Sequence, residues 1–205
     1  ALAEQSVGFY RMLRAAADEH LDGGLAEARV LDFGCGWGRL TRLLARDVAD
    51  DRLYGCDPVQ GILDVCVRER VPAHFARNEV RSGRLPFDER FDLAFAFSVF
   101  THLSEAAHEH ALDALHTGLR PGGVLVVTVR PDDFLDGDAQ YRFVAHPADA
   151  GHLQYQGGEM EYGECVVTLP YVRERWAPRF TLLEASLQLA DLQQVVLVLR
   201  REGTP

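Results

Sequence analysis

The 205-residue sequence predicts an α/β fold in which helices cover both faces of a doubly wound parallel sheet. Short apolar runs alternate with segments whose apolar residues recur at helical spacing. The strand-like runs are apolar throughout, so both of their faces are expected to be buried. A chain of this length, 47% of it hydrophobic, can bury a large core without disulfide bonds. We therefore expect a single domain over residues 1–205.

The predicted elements follow one another in a regular order. Residues 1–24 form an N-terminal helical segment, with Phe9 and Leu13 on its apolar face and Asp22 followed by two glycines at its end. Strands are then predicted at 28–33, 53–57, 73–76, 91–97 and 123–129, with helices at 37–48, 59–70 and 104–117 between them. The chain closes with a short helix at 171–177 and strands at 180–189 and 194–200.

Residues 131–170 interrupt this alternation. The segment is rich in Asp and Gly, and a long irregular segment in a compact domain is usually functional or mobile. We interpret it as a cap or insert over a ligand site. Four aromatic residues in it either line a pocket or hold the cap against the sheet, and the sequence leaves both roles open: Tyr141, Phe143, Tyr155 and Tyr162.

The charge composition excludes several functions. All 21 basic residues are arginines, so no lysine can form a Schiff base, bind a phosphate or act as a general base. The net charge of −10 disfavours nucleic acid and acidic membrane surfaces as partners. The four cysteines lack metal-binding spacing and are expected as small buried residues in a reducing compartment. With no apolar stretch of about 18 residues, we expect a cytoplasmic protein.

A glycine-rich loop follows the first predicted strand. The spacing is D-x-G-x-G-x-G, from Asp32 through Gly34 and Gly36 to Gly38. Glycines at such a turn let the backbone approach a ligand closely. Dinucleotide-binding loops need a third glycine where this chain has Arg39, so the spacing disfavours a nicotinamide dinucleotide.

The loop and the residues after the next three strands resemble the class I S-adenosylmethionine-dependent methyltransferases. Asp57 ends the second strand, and Asn78 and Glu79 follow the third. The run FDLAFAFSVFTHL at 91–103 is similar to the fourth strand and following loop of the family, and LRPGG at 119–123 to the turn into the fifth. The resemblance covers residues 28–130.

This resemblance implies a Rossmann-like seven-stranded sheet of order 3-2-1-4-5-7-6, with the last strand antiparallel. It implies S-adenosylmethionine as cofactor and S-adenosylhomocysteine as product. The glycines would cradle the methionine part, and Asp32 would lie near its ammonium group. The other positions carry over as follows: Asp57 with Pro58 to the ribose, Asn78 or Glu79 to adenine, and Phe97 with Ser98 along the methionine chain.

Four histidines and one acid leave choices open. Asp32 can equally well cap loop amides as contact a ligand. His102 lies where the chain leaves the fourth strand, at the rim where ligands bind in this architecture, and is our candidate general base. The histidines at 108 and 110 diverge by about 200° around a helix, so we expect no metal site. His108, His110 and His116 are expected on a solvated helix face.

The resemblance therefore predicts transfer of a methyl group from S-adenosylmethionine to a small-molecule acceptor, an O- or N-nucleophile, expected to bind beneath the cap at 131–170. Two alternatives stay open. One is a nicotinamide-dinucleotide-dependent oxidoreductase or epimerase. The other is a non-catalytic cofactor-binding module that supports a partner enzyme. The acceptor, the methylated atom and the oligomeric state stay open.

Overall fold

A computed structural model describes residues 2–146, 155–156, 159–189 and 194–203. Seven strands form one mixed sheet, and two short pairs lie outside it. The strands of the sheet are β1 (Val30–Phe33), β2 (Leu53–Asp57), β3 (His74–Arg77), β4 (Phe91–Ala96), β5 (Leu119–Val129), β10 (Phe180–Leu189) and β11 (Gln194–Arg201). The short pairs join β6 (Tyr141–Ala145) to β9 (Gly163–Val167) and β7 (Tyr155–Gln156) to β8 (Glu159–Met160).

The strand order confirms the predicted topology. Across the sheet the order is β3-β2-β1-β4-β5-β11-β10, which is 3-2-1-4-5-7-6 when only the strands of this sheet are counted. The first five strands pair in parallel, and β11 runs antiparallel to both β5 and β10. The C-terminal ends of β1, β2, β3 and β4 therefore meet at one edge, where ligands bind in doubly wound sheets.

Helices cover the sheet on both faces because alternate strand residues point to opposite sides. They are α1 (Leu2–His20), α2 (Gly24–Glu27), α3 (Arg39–Leu44), α4 (Gln60–Arg68), α5 (Glu105–Gly118) and α6 (Leu169–Tyr171). Phe9 and Leu13 of α1 pack with Leu44 of α3 in one core cluster. Leu112 of α5 packs with Trp176 in the other.

Several element boundaries differ from the predicted ones. The helix expected at 37–48 is limited to α3, because its last turn tightens where the Arg46 amide bonds to the Leu43 carbonyl oxygen. Strand β5 starts at Leu119, which pairs with Phe91 across a register shift. The helix expected at 171–177 begins at 169, because the Thr168 side chain accepts a hydrogen bond from the Tyr171 amide, and it continues as a π-helical turn at Val172–Trp176.

The prediction of a solvated His108 is wrong. Its side chain is buried, with Phe100, Tyr141 and Trp176 around the ring. The sequence pattern of α5 predicts a polar, exposed side, but residues of the cap segment and Trp176 pack against that side. More of the helix surface is therefore buried than in a helix that has one exposed face. Burial lowers the pKa of His108 to about 3, which keeps the ring neutral.

The four cysteines are buried and free, as expected. Among the helices that the structure describes, none combines the length and the apolar character that crossing a membrane requires.

Candidate cofactor and acceptor site

The glycine loop turns sharply at the C-terminal end of β1. The amides of Gly34 and Cys35 donate to the Cys56 carbonyl oxygen of β2, at 2.8 and 3.0 Å. Gly34 has φ +75°, and a Cβ there would lie 2.4 Å from Cγ2 of Val99. Gly36 has φ +53°, and a Cβ there would meet no atom within 4 Å. The loop therefore packs tightly against the chain at Gly34 and faces open space at Gly36.

Asp57 holds the loop in place from the end of β2. Its Oδ2 accepts from the Gly36 amide at 3.0 Å, and its Oδ1 accepts from the Val59 amide at 2.9 Å. Asp57 and the following Pro58 line a cavity that continues past Gly34 and Ser98. Because backbone amides occupy only part of the lone pairs of a carboxylate, it can still accept hydrogen bonds from a ligand hydroxyl.

The two residues after β3 lie in different surroundings. Asn78 is 7% exposed and lines the same cavity, and its Oδ1 has no hydrogen-bond partner in the described part of the chain. The side chain of Glu79 is 64% exposed and lies 4.0 Å from the Arg77 guanidinium. The cavity thus contains an unpaired buried oxygen from Asn78, whereas Glu79 faces solvent.

A smaller cavity lies on the other side of the glycine loop. It is lined by Asp32, Gly34, Gly36, Arg39 and Phe97, among others, so Gly34 borders both cavities. Asp32 is buried, and its Oδ2 accepts from the Thr41 hydroxyl at 2.6 Å. Burial raises the pKa of Asp32 to about 7, with the charge of Asp57 adding to the effect.

Gly38 precedes α3 with φ +78°, and a Cβ there would lie 3.1 Å from Sγ of Cys66. It lines neither cavity among the residues described at the two sites. Its place is under the loop, where it allows the close packing of α3 against α4.

The chain leaves β4 in a strained conformation. Ser98 has φ +56°, which is uncommon for a residue with a side chain. Its amide donates to the Thr128 hydroxyl at 2.8 Å, and its Oγ accepts from Nε2 of Gln194 at 2.8 Å. Backbone strain of this kind clusters at binding sites. Sequence reasoning missed Thr128 and Gln194 because they lie 30 and 96 residues from Ser98.

His102 lines the end of the larger cavity that Tyr162 also borders. Its Nδ1 lies 2.7 Å from the Gly163 carbonyl oxygen and 3.7 Å from Oε1 of Glu164. Because a carbonyl oxygen can only accept, Nδ1 carries the proton and Nε2 is the basic nitrogen. Burial lowers the pKa of His102, partly offset by Gly163 and Glu164.

The two glutamates that flank Tyr162 and Gly163 each bind an arginine. Oε2 of Glu164 accepts from Nε and Nη2 of Arg130 at 3.2 and 3.0 Å. Glu161 is fully buried and pairs with Arg81, and the Ser104 hydroxyl donates to its other oxygen. The cap thus binds the loops after β3 and β5 through ion pairs and the loop after β4 through a hydrogen bond.

The aromatic residues of the predicted cap divide between the two roles that the sequence left open. Tyr162 lines the cavity and stacks on His102, with ring centroids 5.1 Å apart and planes at 20°. Tyr141 holds the cap, because its hydroxyl donates to the Leu103 carbonyl oxygen at 2.7 Å. Phe143 is half-buried against the core. The side chain of Tyr155 lies outside the described residues. Across the described ranges, no three His, Cys, Asp or Glu side chains form a group suited to a metal ion.

Comparison with known proteins finds similarity over part of the chain. Residues 30–123 match the model of a family described as a methyltransferase domain. The chain is 35% identical over 107 residues to the trans-aconitate 2-methyltransferase of Variovorax paradoxus, a match that covers 52% of this chain and 39% of the relative. It is 32% identical over 113 residues to the ubiquinone biosynthesis O-methyltransferase of Acinetobacter baylyi, a match that covers 52% of this chain and 44% of the relative.

The chain spans less than half the length of these curated relatives in the matched region. Among solved structures, the magnesium protoporphyrin IX methyltransferase from Synechocystis with bound S-adenosylmethionine superposes with a TM-score of 0.62 at 15% identity, over 96% of this chain and 81% of that chain. This likeness concerns the fold. The family match at residues 30–123 and the strand order of the sheet agree with the resemblance to class I S-adenosylmethionine-dependent methyltransferases that the sequence predicts.

Proposed function

We propose that the protein transfers the methyl group of S-adenosylmethionine to a small-molecule acceptor. The observation that carries this proposal is the continuity of the larger cavity. It runs from the acid and amide at the ends of β2 and β3, past Gly34, to the histidine at the cap. At one end, Asp57 and Asn78 offer hydrogen-bonding groups for a nucleoside. At the other end, His102 offers a base beside apolar side chains.

The residues present fit this cofactor. Asp57 would accept hydrogen bonds from the ribose hydroxyls, with Pro58 beside the ring system. The unpaired Oδ1 of Asn78 would accept from the exocyclic amine of adenine, a role in which we place Asn78 rather than Glu79. Gly36 faces open space that the methionine part would occupy, Gly34 borders both cavities, and Gly38 supports the loop beneath them. Ser98 lines the larger cavity and Phe97 lines the smaller one, and both would lie along the methionine chain.

His102 would act as the general base. S-adenosylmethionine supplies a methyl group on a positively charged sulfur, which is already reactive toward nucleophiles. Nδ1 of His102 donates to Gly163, so Nε2 would take the proton from an acceptor hydroxyl or amine. Glu164, which Arg130 holds in place, would stabilise the imidazolium that results. The remaining contribution of the chain is to orient the two reactants and to exclude water.

The segment 131–170 would cover the acceptor, and its charges indicate what kind of acceptor fits. Arg81 and Arg130 are the arginines that meet the cap segment at 161–164, and each is paired with a glutamate. The described residues near His102 in the cavity are Val99, Leu103 and Tyr162. We therefore propose a small acceptor with an apolar body and one ionisable hydroxyl or amine, not a polycarboxylate that needs several arginines.

The decisive experiment uses methyl-labelled S-adenosylmethionine with a panel of small acceptors. The panel contains phenols, alcohols and amines with apolar bodies, and trans-aconitate as the polycarboxylate. We expect label transfer with formation of S-adenosylhomocysteine for at least one apolar acceptor. Turnover of trans-aconitate alone would contradict the acceptor class but keep the methyl transfer.

Two outcomes would replace the proposal by its alternatives. The first is a melting temperature that rises with the reduced nicotinamide dinucleotide and not with S-adenosylhomocysteine, which would indicate an oxidoreductase or epimerase. The second is tight binding of S-adenosylhomocysteine with no turnover of any acceptor until a second protein is added, which would indicate a supporting module.

A further inference from the structure

We propose that Gly163 is a positioning residue for the general base. Its carbonyl oxygen selects the tautomer of His102, and its lack of a side chain lets the cap lie close enough to the ring to do so. This inference rests on the proposed function, because it concerns the base of that reaction. It gives a role to a glycine of the cap that lies outside the glycine-rich loop.

Gly163 binds both the ring and the backbone of His102. Nδ1 of the ring lies 2.7 Å from the Gly163 carbonyl oxygen, and the Gly163 amide donates to the His102 carbonyl oxygen at 2.9 Å. The Ser104 amide continues this pairing, because it donates to the Glu161 carbonyl oxygen at 3.0 Å. Backbone pairing therefore sets the position of the Gly163 carbonyl oxygen relative to the ring, and it holds a site more precisely than a free loop would.

The structure leaves no room for a side chain at position 163. Gly163 belongs to β9 and pairs with Ala145 of β6. A Cβ at Gly163 would overlap the Val144 carbonyl oxygen and lie 2.9 Å from Cα of Ala145. Both of these atoms belong to the backbone, so they cannot move aside as the end of a flexible side chain can. A side chain at 163 would therefore displace β9 from β6 and from His102.

The contact decides which nitrogen of His102 is basic. A neutral imidazole can carry its proton on either ring nitrogen, and only the other nitrogen accepts a proton. Since Nδ1 donates to Gly163, the basic nitrogen is Nε2. Tyr162 stacks on the same ring and limits its rotation. The Gly163 carbonyl oxygen also raises the pKa of His102 against the effect of burial, so it makes the ring a stronger base.

The charged groups that face His102 come from three elements. Glu164 follows Gly163 in β9, Arg130 follows β5, and His146 follows β6. Glu164 raises the pKa of His102, whereas Arg130 and His146 lower it. Displacement of β9 weakens the effects of Gly163 and Glu164 together. The pKa of His102 should therefore fall further below its usual value when Gly163 is replaced.

Gly163→Ala tests the assignment in the rate and its pH dependence. With the best acceptor, we expect kcat to fall about 10-fold, the effect of losing one hydrogen bond to the base. The acidic decline of the rate should move to lower pH, and the affinity for S-adenosylhomocysteine should stay within about threefold.

Gly123→Ala is the matched control. A Cβ at Gly123 would lie 2.8 Å from the Arg120 carbonyl oxygen, which is again a backbone atom. Gly123 lies in the first half of β5 and lines neither of the two cavities described at the site. This variant should have a lower melting temperature and the pH profile of the wild type.

Nuclear magnetic resonance keeps the test decisive if Gly163→Ala does not fold. In protein whose histidines carry the heavy nitrogen isotope, the chemical shifts of the two ring nitrogens distinguish the tautomers. The His102→Gln variant identifies the signals of His102. At neutral pH we expect a protonated Nδ1 in the wild type and a mixture of tautomers in Gly163→Ala. A protonated Nε2 in the wild type would overturn the proposal.

These results are distinguishable from failure of the proposed function. The tautomer measurement needs neither cofactor nor acceptor, so it tests the contact between Gly163 and His102 by itself. If the wild type neither binds S-adenosylhomocysteine nor transfers label, the proposed function is wrong. If it does both, and Gly163→Ala changes neither the tautomer nor the pH profile, Gly163 only supports the cap and its positioning role is wrong.

Discussion

Two regions of the molecule use their polar groups in opposite ways. The cofactor edge is formed by the loops after β1, β2 and β3. The cap interface is formed by residues 161–167 against the loops after β3, β4 and β5. At the cofactor edge, Asn78 has an unpaired oxygen and Arg39 has neutral partners. At the cap interface, Arg81 and Arg130 each bind a glutamate. The first region keeps polar capacity for a ligand, whereas the second uses its charges within the protein. We infer that the polar groups of the cofactor edge bind the ligand, whereas the ion pairs of the cap interface hold the cap in position.

The largest expected effect tests the one group of the cap interface that is proposed to react. Replacing His102→Gln should lower kcat by about 10²- to 10⁴-fold with the best acceptor, because the base is lost. Binding of S-adenosylhomocysteine should change by less than about threefold, since the cofactor edge is intact. His110→Gln, at a partly buried position of α5, is the control. A retained rate at every pH would exclude His102 as the base.

The pH profile of the wild type adds a readout that a structural role of His102 would not produce. Burial lowers the pKa of His102 below its usual 6.5, and only the neutral ring can accept a proton. The rate should therefore stay constant above about pH 6.5 and fall at more acidic pH. The variant should lack this acidic decline.

The second effect addresses the cofactor edge. Asp57→Asn should weaken binding of S-adenosylhomocysteine by about 100-fold, or about 2.7 kcal/mol, because it removes the charged acceptor for the ribose and for the Gly36 amide. Calorimetry measures the affinity, and thermal unfolding of the free protein checks that the variant folds. Asp64→Asn, at an exposed position of α4, should bind like the wild type. Unchanged affinity in Asp57→Asn would remove the ribose assignment.

The sequence predicts more of the cofactor edge than of the cap interface, because the contacts of the cap interface join residues far apart in the chain. Asp57, Gly36 and Asn78 belong to loops that follow successive strands, so the strand order places them together. His102 meets Gly163 across 61 residues, and Ser104 meets Glu161 across 57. No periodicity encodes these contacts. The same limit explains His108, whose burial depends on Tyr141 and Trp176 and not on the pattern of α5.

The third effect concerns the stability of the cap interface. Glu161→Gln leaves the Arg81 guanidinium without its buried partner, which costs about 3–5 kcal/mol for a fully buried pair. Since the Arg81 side chain is 26% exposed, we expect a loss of about 2–3 kcal/mol and a melting temperature lower by roughly 5–10 °C. Glu174→Gln, at an exposed position, should leave the melting temperature unchanged. A loss of cofactor affinity as large as that of Asp57→Asn would contradict the assignment of cofactor binding to the cofactor edge alone.

The fourth effect uses the pKa of His108. Between about pH 6.5 and pH 3, the unfolded chain binds a proton at His108 that the folded protein does not, so this residue lowers stability as the pH falls. From pH 7.5 to pH 5 the loss is about 2 kcal/mol. Asp32, whose folded pKa is raised to about 7, has the opposite effect over the same range.

The measurement for His108 is therefore a difference between proteins at two pH values. The free energy of unfolding of His108→Leu minus that of the wild type should be about 2 kcal/mol more favourable at pH 5 than at pH 7.5. His110→Leu serves as the control on the same helix. A difference independent of pH would mean that the folded protein accepts a proton at His108 as readily as the unfolded chain does.

The smallest effect tests whether Asn78 binds a ligand or supports the fold. The test compares the change in unfolding temperature with the change in affinity for S-adenosylhomocysteine. Asn78→Ala removes a buried oxygen that has no partner in the described part of the chain, so the free protein should unfold at the same or a higher temperature. The same change should weaken binding of S-adenosylhomocysteine by about 10-fold, since the exocyclic amine of adenine loses its acceptor. Glu79→Ala, one residue further at an exposed position, should change neither quantity. If Glu79→Ala weakens binding and Asn78→Ala only destabilises the free protein, adenine is recognised from the solvent side. The unpaired oxygen would then be a defect of the loop and not a group kept for the cofactor.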